Sequence, residues 1–217
     1  MKPIAGPIVL ALAFAALQPA RAADWKMAPA GSRLEFAAQF ENTPAPGVFK
    51  DFDVRLGFDG DSPAGGRLDV TIRIASADMA SADINKAIAG AEWFDVARYP
   101  LAEFHATEIR RGPAGSPGRF IARGTLALKG VTQPLEVPLA WTAAAGGATL
   151  DGEFSVKRSL FGIGTGEWAA TSVIGADVNV KFHVPLPLPA ITIVAASPTR
   201  TRATRARTTA LRRRVDI

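Results

Sequence analysis

The 217-residue chain has no cysteine, a single tyrosine, two histidines and three methionines. Without cysteine there is no disulfide framework, no thiolate metal site, no thiol nucleophile and no sulfur to lipidate, so the folded part must hold itself together by packing. The histidines, His105 and His183, sit on the polar side of alternating stretches and have no metal-ligand spacing. Ser159 has no nucleophile-elbow motif, and Asp51 and Asp53 share one polar face, where solvated acids are the simple reading. The expectation is a binding protein and not an enzyme, with no catalytic residue, no metal and no cofactor. A long apolar run is missing too: Ile8 to Leu17 is ten residues, half of the roughly 20 that a membrane-spanning helix needs.

That run follows Lys2 and precedes Ala20-Arg21-Ala22, a small-x-small pattern, so residues 1–22 read as a cleavable secretory signal peptide. A retained anchor is the competing reading. Export would put the mature protein, starting at Ala23, in the periplasm. At the other end, residues 198–217 carry seven arginines against one acid, whereas residues 23–197 carry 16 basic and 19 acidic side chains. The net charge of +5 therefore belongs to the tail, and the middle is mildly acidic. Residues 188–217 read as a basic, disordered tail; the other reading is transient contact with an anionic membrane surface, at about 1 kcal/mol per basic residue. No aromatic interleaves the arginines, which argues against nucleic acid as a partner.

What the middle does have is alternation. Leu34/Phe36/Ala38/Phe40, Phe52/Val54/Leu56/Phe58 and Leu68/Val70/Ile72/Ile74 form three half-apolar strands, separated by the turn formers of 42–47 and 59–66. Ser81 can cap a helix with Asp83 in its first turn and Ile84, Ala87, Ile88 and Ala91 on one face. Strands resume at Ala102/Phe104/Ala106, Phe120 to Leu128, Leu135 to Trp141, Leu150 to Val156 and Val178 to Val184. Lys129-Gly130 joins two of them as a hairpin whose Leu126, Leu128, Leu135, Val137 and Leu139 share a face. The fold class is all-β: an eight-stranded antiparallel barrel over residues 23–187, with one short helix between strands 3 and 4. Closure removes the edges that an open sheet would expose.

Small inward residues (Ala38, Ala102, Ala106, Ala122, Gly124, Gly152) leave room inside such a barrel, and Phe36, Phe40, Phe52, Phe104, Phe120, Phe154 and Phe182 supply apolar wall. The competing reading is that the aromatics fill that room and the barrel is solid. Lys50 has inward parity and either meets a ligand head group or snorkels to solvent. Gly162, Gly164 and Gly166, with Phe161 and Trp168, suit a loop that gates a barrel mouth; the spacing does not match a phosphate-cradling loop. Arg158 either pairs with a ligand oxygen or forms a salt bridge to a neighbouring acid.

Three blocks resemble the signatures of the YceI-like, polyisoprenoid-binding family: Trp93-Phe94-Asp95-Val96 with Tyr99-Pro100 and Phe104, Gly124 to Pro134, and Val156 to Gly164. The similarity spans about Asp24 to Pro185. It departs at Ala82, where the family often has Arg, and at Leu160, where it often has an acid. The resemblance implies an exported, lipocalin-like barrel whose interior takes an isoprenoid quinone or prenyl lipid. The candidate ligand-binding residues are Phe36, Phe40, Phe52, Trp93, Phe94, Phe104, Phe120, Gly124, Leu126, Phe154, Arg158, Phe161 and Phe182. The expected function is to sequester or carry a long apolar amphiphile through the periplasm; the alternative is an envelope stress or interaction protein with a solid barrel and no ligand.

Overall fold

The computed structural model describes residues 23–60 and 63–188, so the signal peptide read at 1–22 lies outside the described residues, as does the tail beyond Leu188. Eleven strands, β1 (Ala23–Lys26), β2 (Arg33–Phe40), β3 (Thr43–Phe49), β4 (Phe52–Phe58), β5 (Arg67–Arg73), β6 (Ala77–Asp78), β7 (Leu101–Arg111), β8 (Arg119–Leu128), β9 (Val131–Ala144), β10 (Gly147–Lys157) and β11 (Asp177–Pro187), form one antiparallel sheet. The order across it is β1-β4-β5-β7-β8-β9-β10-β11-β2-β3-β6. Among the described residues the count is eleven where the alternation gave eight, and the sheet is a curled barrel that keeps two edges, β1 and β6, where closure was expected to leave none. β3 bends into β4 through Lys50-Asp51, β5 reaches β6 through the 3-10 turn Ile74–Ser76, and β1 precedes β2 across a short turn. The Ala28 N–H donates to the Pro185 carbonyl (2.9 Å), which ties the segment after β1 to β11 and curls the sheet on itself.

β3 departs furthest from the sequence pattern. Residues 42–47, dense in turn formers, looked like a loop, but Thr43–Phe49 pairs with β2 in the register Ala37↔Pro46 and Gln39↔Pro44. On its far side, among the described residues, β3 pairs only at Val48 and Phe49, with β6. The prolines therefore stand where the strand is an edge and a missing N–H costs no ladder bond. The hairpin between β8 and β9 is as read: Leu128 faces Val131 across Lys129 (φ 49°) and Gly130 (φ 74°), two consecutive left-handed residues that match a type I′ turn.

The helix α1 (Ala82–Ile88) begins at Ser81, whose Oγ accepts from the Ile84 N–H (3.4 Å), and is shorter than the apolar spacing through Ala91 suggested. It lies between β6 and β7. Asp78 ties it down: the Asp78 carboxylate accepts from Asn85 Nδ2 (2.8 Å) and the Ala80 N–H (2.9 Å) and pairs with Lys50. Lys50 is thus an exposed ion-pair partner whose side chain reaches solvent and not the interior.

The two ends of the sheet pack differently. At the end that includes the β9–β10 turn, Phe58 sits edge-on to Phe120 (4.8 Å) and Trp141 (5.2 Å), and Trp25 edge-on to Trp141 (5.2 Å). Leu56, Ile109, Leu139 and Leu186 complete this closed plug. The opposite end carries the β8–β9 turn, α1 and the segment from Arg158 to Ala176, and here the interior is hollow.

Candidate ligand cavity

The hollow half encloses a cavity of about 580 Å³, within the 300–1,000 Å³ typical of small-molecule sites. The wall comes from inward positions of the strands: Phe36 and Ala38 of β2, Phe52 and Val54 of β4, Val70 and Ile72 of β5, Ala102 and Phe104 of β7, Leu126 of β8, Leu135 and Val137 of β9, Phe154 of β10 and Phe182 of β11. Ile84, Ala87 and Ile88 of α1 close one side of the mouth. Phe40, 44% exposed, stands on the rim. The connection after α1 is held by backbone bonds from Phe94 to Ile88 (3.0 Å) and from Val96 to Ala89 (3.1 Å), and this aims Trp93 and Phe94 into the cavity. Phe94 meets Phe49, which meets Phe36, at 6.1 and 5.0 Å between ring centres.

The segment after β10 forms the rest of the mouth, and Arg158 organises it. The residue is 3% exposed. Nε donates to the Gly175 carbonyl (3.0 Å), Nη1 to those of Ile163 (3.0 Å) and Gly164 (2.8 Å), and Nη2 to those of Trp168 (2.9 Å) and Ile174 (2.8 Å). An arginine has five N–H donors, and all five are used. Lys129 Nζ adds a bond to the Gly162 carbonyl (2.6 Å). Burial lowers the pKa of both cations from their ordinary values, with Asp95 and Glu92 opposing the shift at Lys129. The segment is therefore a cap fastened by two cations. Gly162, Gly164 and Gly166 all take left-handed φ, and a side chain at Gly164 would run into the Arg158 guanidinium.

Of the thirteen residues expected in the site, Phe36, Phe40, Phe52, Trp93, Phe94, Phe104, Leu126, Phe154, Arg158, Phe161 and Phe182 line the cavity, whereas Phe120 and Gly124 do not. Phe120 belongs to the aromatic plug. Gly124 provides no spare volume: a Cβ there would overlap the His105 carbonyl oxygen and lie 2.6 Å from the Ala106 Cα. Ala106, Ala122 and Gly152 are likewise outside the cavity. Arg158 forms neither of the expected contacts, since its partners are all carbonyls. Lining also comes from residues 43–45, whose turn formers predict a loop, and from helix α1, whose apolar stripe does not by itself show what it covers. His105 and His183 face outward as read, against Asp69 (2.9 Å) and Asp151 (2.6 Å).

The YceI-like domain model matches residues 25–186. The UPF0312 protein of Serratia proteamaculans is 30% identical over 173 residues, covering 75% of this chain and 87% of its own. That of Photorhabdus laumondii is 37% identical over 89 residues, 41% of this chain and 44% of its own, so the match spans less than half of that relative. Among solved structures, BcnA of Burkholderia cenocepacia superposes with a TM-score of 0.70 at 34% identity, covering 73% of this chain and 98% of that one. A polyisoprenoid binding domain from Saccharophagus degradans has the same fold, with a TM-score of 0.59 at 18% identity over 77% of this chain and 99% of that one.

Proposed function

Because the chain belongs to the YceI-like family, we propose that it holds one long apolar amphiphile of polyisoprenoid or quinone type in the hollow half of the barrel and carries or sequesters it in the periplasm. The observation that carries this reading is the cavity itself: about 580 Å³ of space walled by Phe, Leu, Val and Ile, with the N–H donors of its one buried cation already committed. Such a site rewards hydrocarbon and penalises an unpaired polar group. The solid-barrel alternative has no comparable support, because packing fills only the opposite end. Burying one CH2 from water is worth about 0.8 kcal/mol, but a chain leaving a bilayer gives up as much as it regains. Uptake is thus close to balanced, as exchange with a membrane requires.

Native mass spectrometry of the protein purified without harsh detergent is the test, followed by incubation with vesicles containing a prenyl quinone. A bound lipid of defined mass, or uptake from the vesicles, is expected. A clean apo mass together with no uptake would sink the proposal. Sequencing the N-terminus of the exported protein checks the compartment: Ala23 is the expected first residue, and a start at Met1 refutes cleavage.

A further inference from the structure

The cavity reaches solvent on one side. Its lining residues on the cap are buried or half-buried, as are Trp93 and Phe94, so the segment that Arg158 fastens closes its own side. The exposed lining residues are Gln39, Phe40, Thr43, Pro44, Ile84 and Ala87. They fall on two elements, the tip of the β2–β3 hairpin and α1. The ladder between β3 and β6 covers only Val48 and Phe49 among the described residues, so no strand pairs along the outer side of Thr43 to Gly47, and the opening borders that gap in the wall. The hairpin tip is held in place. Glu41 (φ 48°) and Asn42 (φ 64°) are both left-handed between the paired Phe40 and Thr43, the Glu41 N–H donates to the Val173 carbonyl (2.8 Å), and Phe40 bridges to Ile174.

We infer that this opening is a membrane-docking surface: the tip of the β2–β3 hairpin and α1 rest against a bilayer, Phe40 and Ile84 enter its apolar boundary, and lipid passes between them without crossing water. This rests on the binding function proposed above and adds the face through which exchange takes place. Phe40 and Ile84 are each 44% exposed although both line the cavity, so apolar surface runs unbroken from the interior to the outside, and Val173, 38% exposed, stands beside the hairpin tip. Less than half of each of these side chains is exposed, so together they offer on the order of 200–300 Å², well under the roughly 800 Å² per partner of a stable protein interface. A bilayer needs no matched partner surface and takes apolar side chains in proportion to their area. The exposed charges on residues 39–44 and 82–88 are Glu41, Asp83 and Lys86, one base against two acids, which gives an anionic surface nothing to hold. The contact is therefore apolar and suits zwitterionic lipid.

The chain has no cysteine, so a single introduced one can carry a polarity-sensitive fluorophore. Val173→Cys places it beside the opening, and Gly146→Cys places it in the β9–β10 turn at the plugged end, where a Cβ meets open space. Each labelled mature chain is mixed with quinone-free phosphatidylcholine vesicles whose acyl chains are brominated. The Val173→Cys label is expected to shift to shorter wavelength and to be quenched, at low and high salt alike, whereas the Gly146→Cys label does neither. Adding Ile84→Asp to Val173→Cys is expected to weaken vesicle binding by about tenfold or more. The inference is overturned by no shift at Val173→Cys, by equal quenching of the two labels, or by unchanged binding in a folded Ile84→Asp. A contact that needs anionic lipid and disappears in salt also overturns it, and assigns membrane contact to the basic tail. So does a shift at Val173→Cys that appears without vesicles and grows with protein concentration, since a second copy then covers the opening. If Ile84→Asp does not fold, the comparison of the two labels decides alone. Uptake of a prenyl quinone by a protein that never docks overturns this inference and leaves the binding function standing; docking without uptake does the reverse.

Discussion

Gly124 and Arg158 both show how a residue's partners, and not its type, decide what it does. Gly124 stands on the inward parity of β8, opposite Ala106 on β7, where the ladder shifts register between Ala106 and Glu108. The β7 backbone approaches so closely that only glycine fits. Gly124→Ala is therefore expected to destabilise the protein by about 1–3 kcal/mol with no change in ligand preference. A urea midpoint equal to that of the wild type would contradict this. For Arg158 the relevant count is donors against acceptors. Lysine brings three donors to a place where five carbonyls are bonded, so Arg158→Lys leaves at least two bare, at about 1–3 kcal/mol each where they are buried. A melting temperature within a degree of the wild type would show that water replaces the lost donors. The sequence placed Arg158 beside a glycine-rich segment, but its partners lie 5 to 17 residues further on, in chain with no strand or helix period. Nothing local could have identified them.

Among the elements, those with an alternating period were legible and those defined by their edges were not. β7 to β11 follow the apolar parity read from the chain, because each is flanked by neighbours and buries one face. β3 escaped because Pro44, Pro46 and Gly47 are turn formers everywhere except along a stretch of strand whose outer side is unpaired, and β3 pairs outward with β6 only beyond them, at Val48 and Phe49. The helix was legible from its cap and stripe, whereas its anchor was not. Lys50, Asn85 and the Ala80 N–H, in that order of effect, hold the Asp78 carboxyl at about 2, below its ordinary 3.8. A carboxylate with a lowered folded-state pKa stabilises the fold above its unfolded pKa, and the contribution disappears as pH falls through the folded value. Between about pH 4 and pH 2 the amides of Met79, Ala80 and α1 should lose protection from hydrogen exchange, and Asp78→Asn should expose them already at pH 7. Equal protection at pH 7 and pH 2 would mean that α1 is held by its apolar face alone.

At the scale of the molecule, the barrel reconciles two demands that the sequence could not rank: a solid core for stability without disulfides, and an empty one for a ligand. It separates them along its axis. The aromatic plug of Trp25, Phe58, Phe120 and Trp141 joins β1, β4, β8 and β9, whose residues are far apart in the chain, so its position depends on topology and not on any local pattern. Parity showed which side chains face inward but not how deep along the axis each one lies. Ala102 and Ala122 make the point, since both are inward alanines on neighbouring central strands. Ala102, 3% exposed, borders the cavity; Ala122, 0% exposed, lies in the packed half. Enlarging each to leucine separates the two regimes. Ala122→Leu forces extra methylenes into filled space and is expected to cost about 1–3 kcal/mol. Ala102→Leu places the same atoms in empty space, where each buried methylene returns up to about 0.8 kcal/mol, so the ligand-free protein should be as stable as the wild type or more so. The order inverts with ligand present, because a bound molecule at a hundred times its dissociation constant stabilises the wild type by about 2.7 kcal/mol, and the narrowed cavity forfeits part of that. Urea melts of both variants, each with and without prenyl quinone, resolve the four values. Equal destabilisation by both leucines in the ligand-free state would mean that the hollow half collapses when empty, and the cavity would then exist only around its occupant.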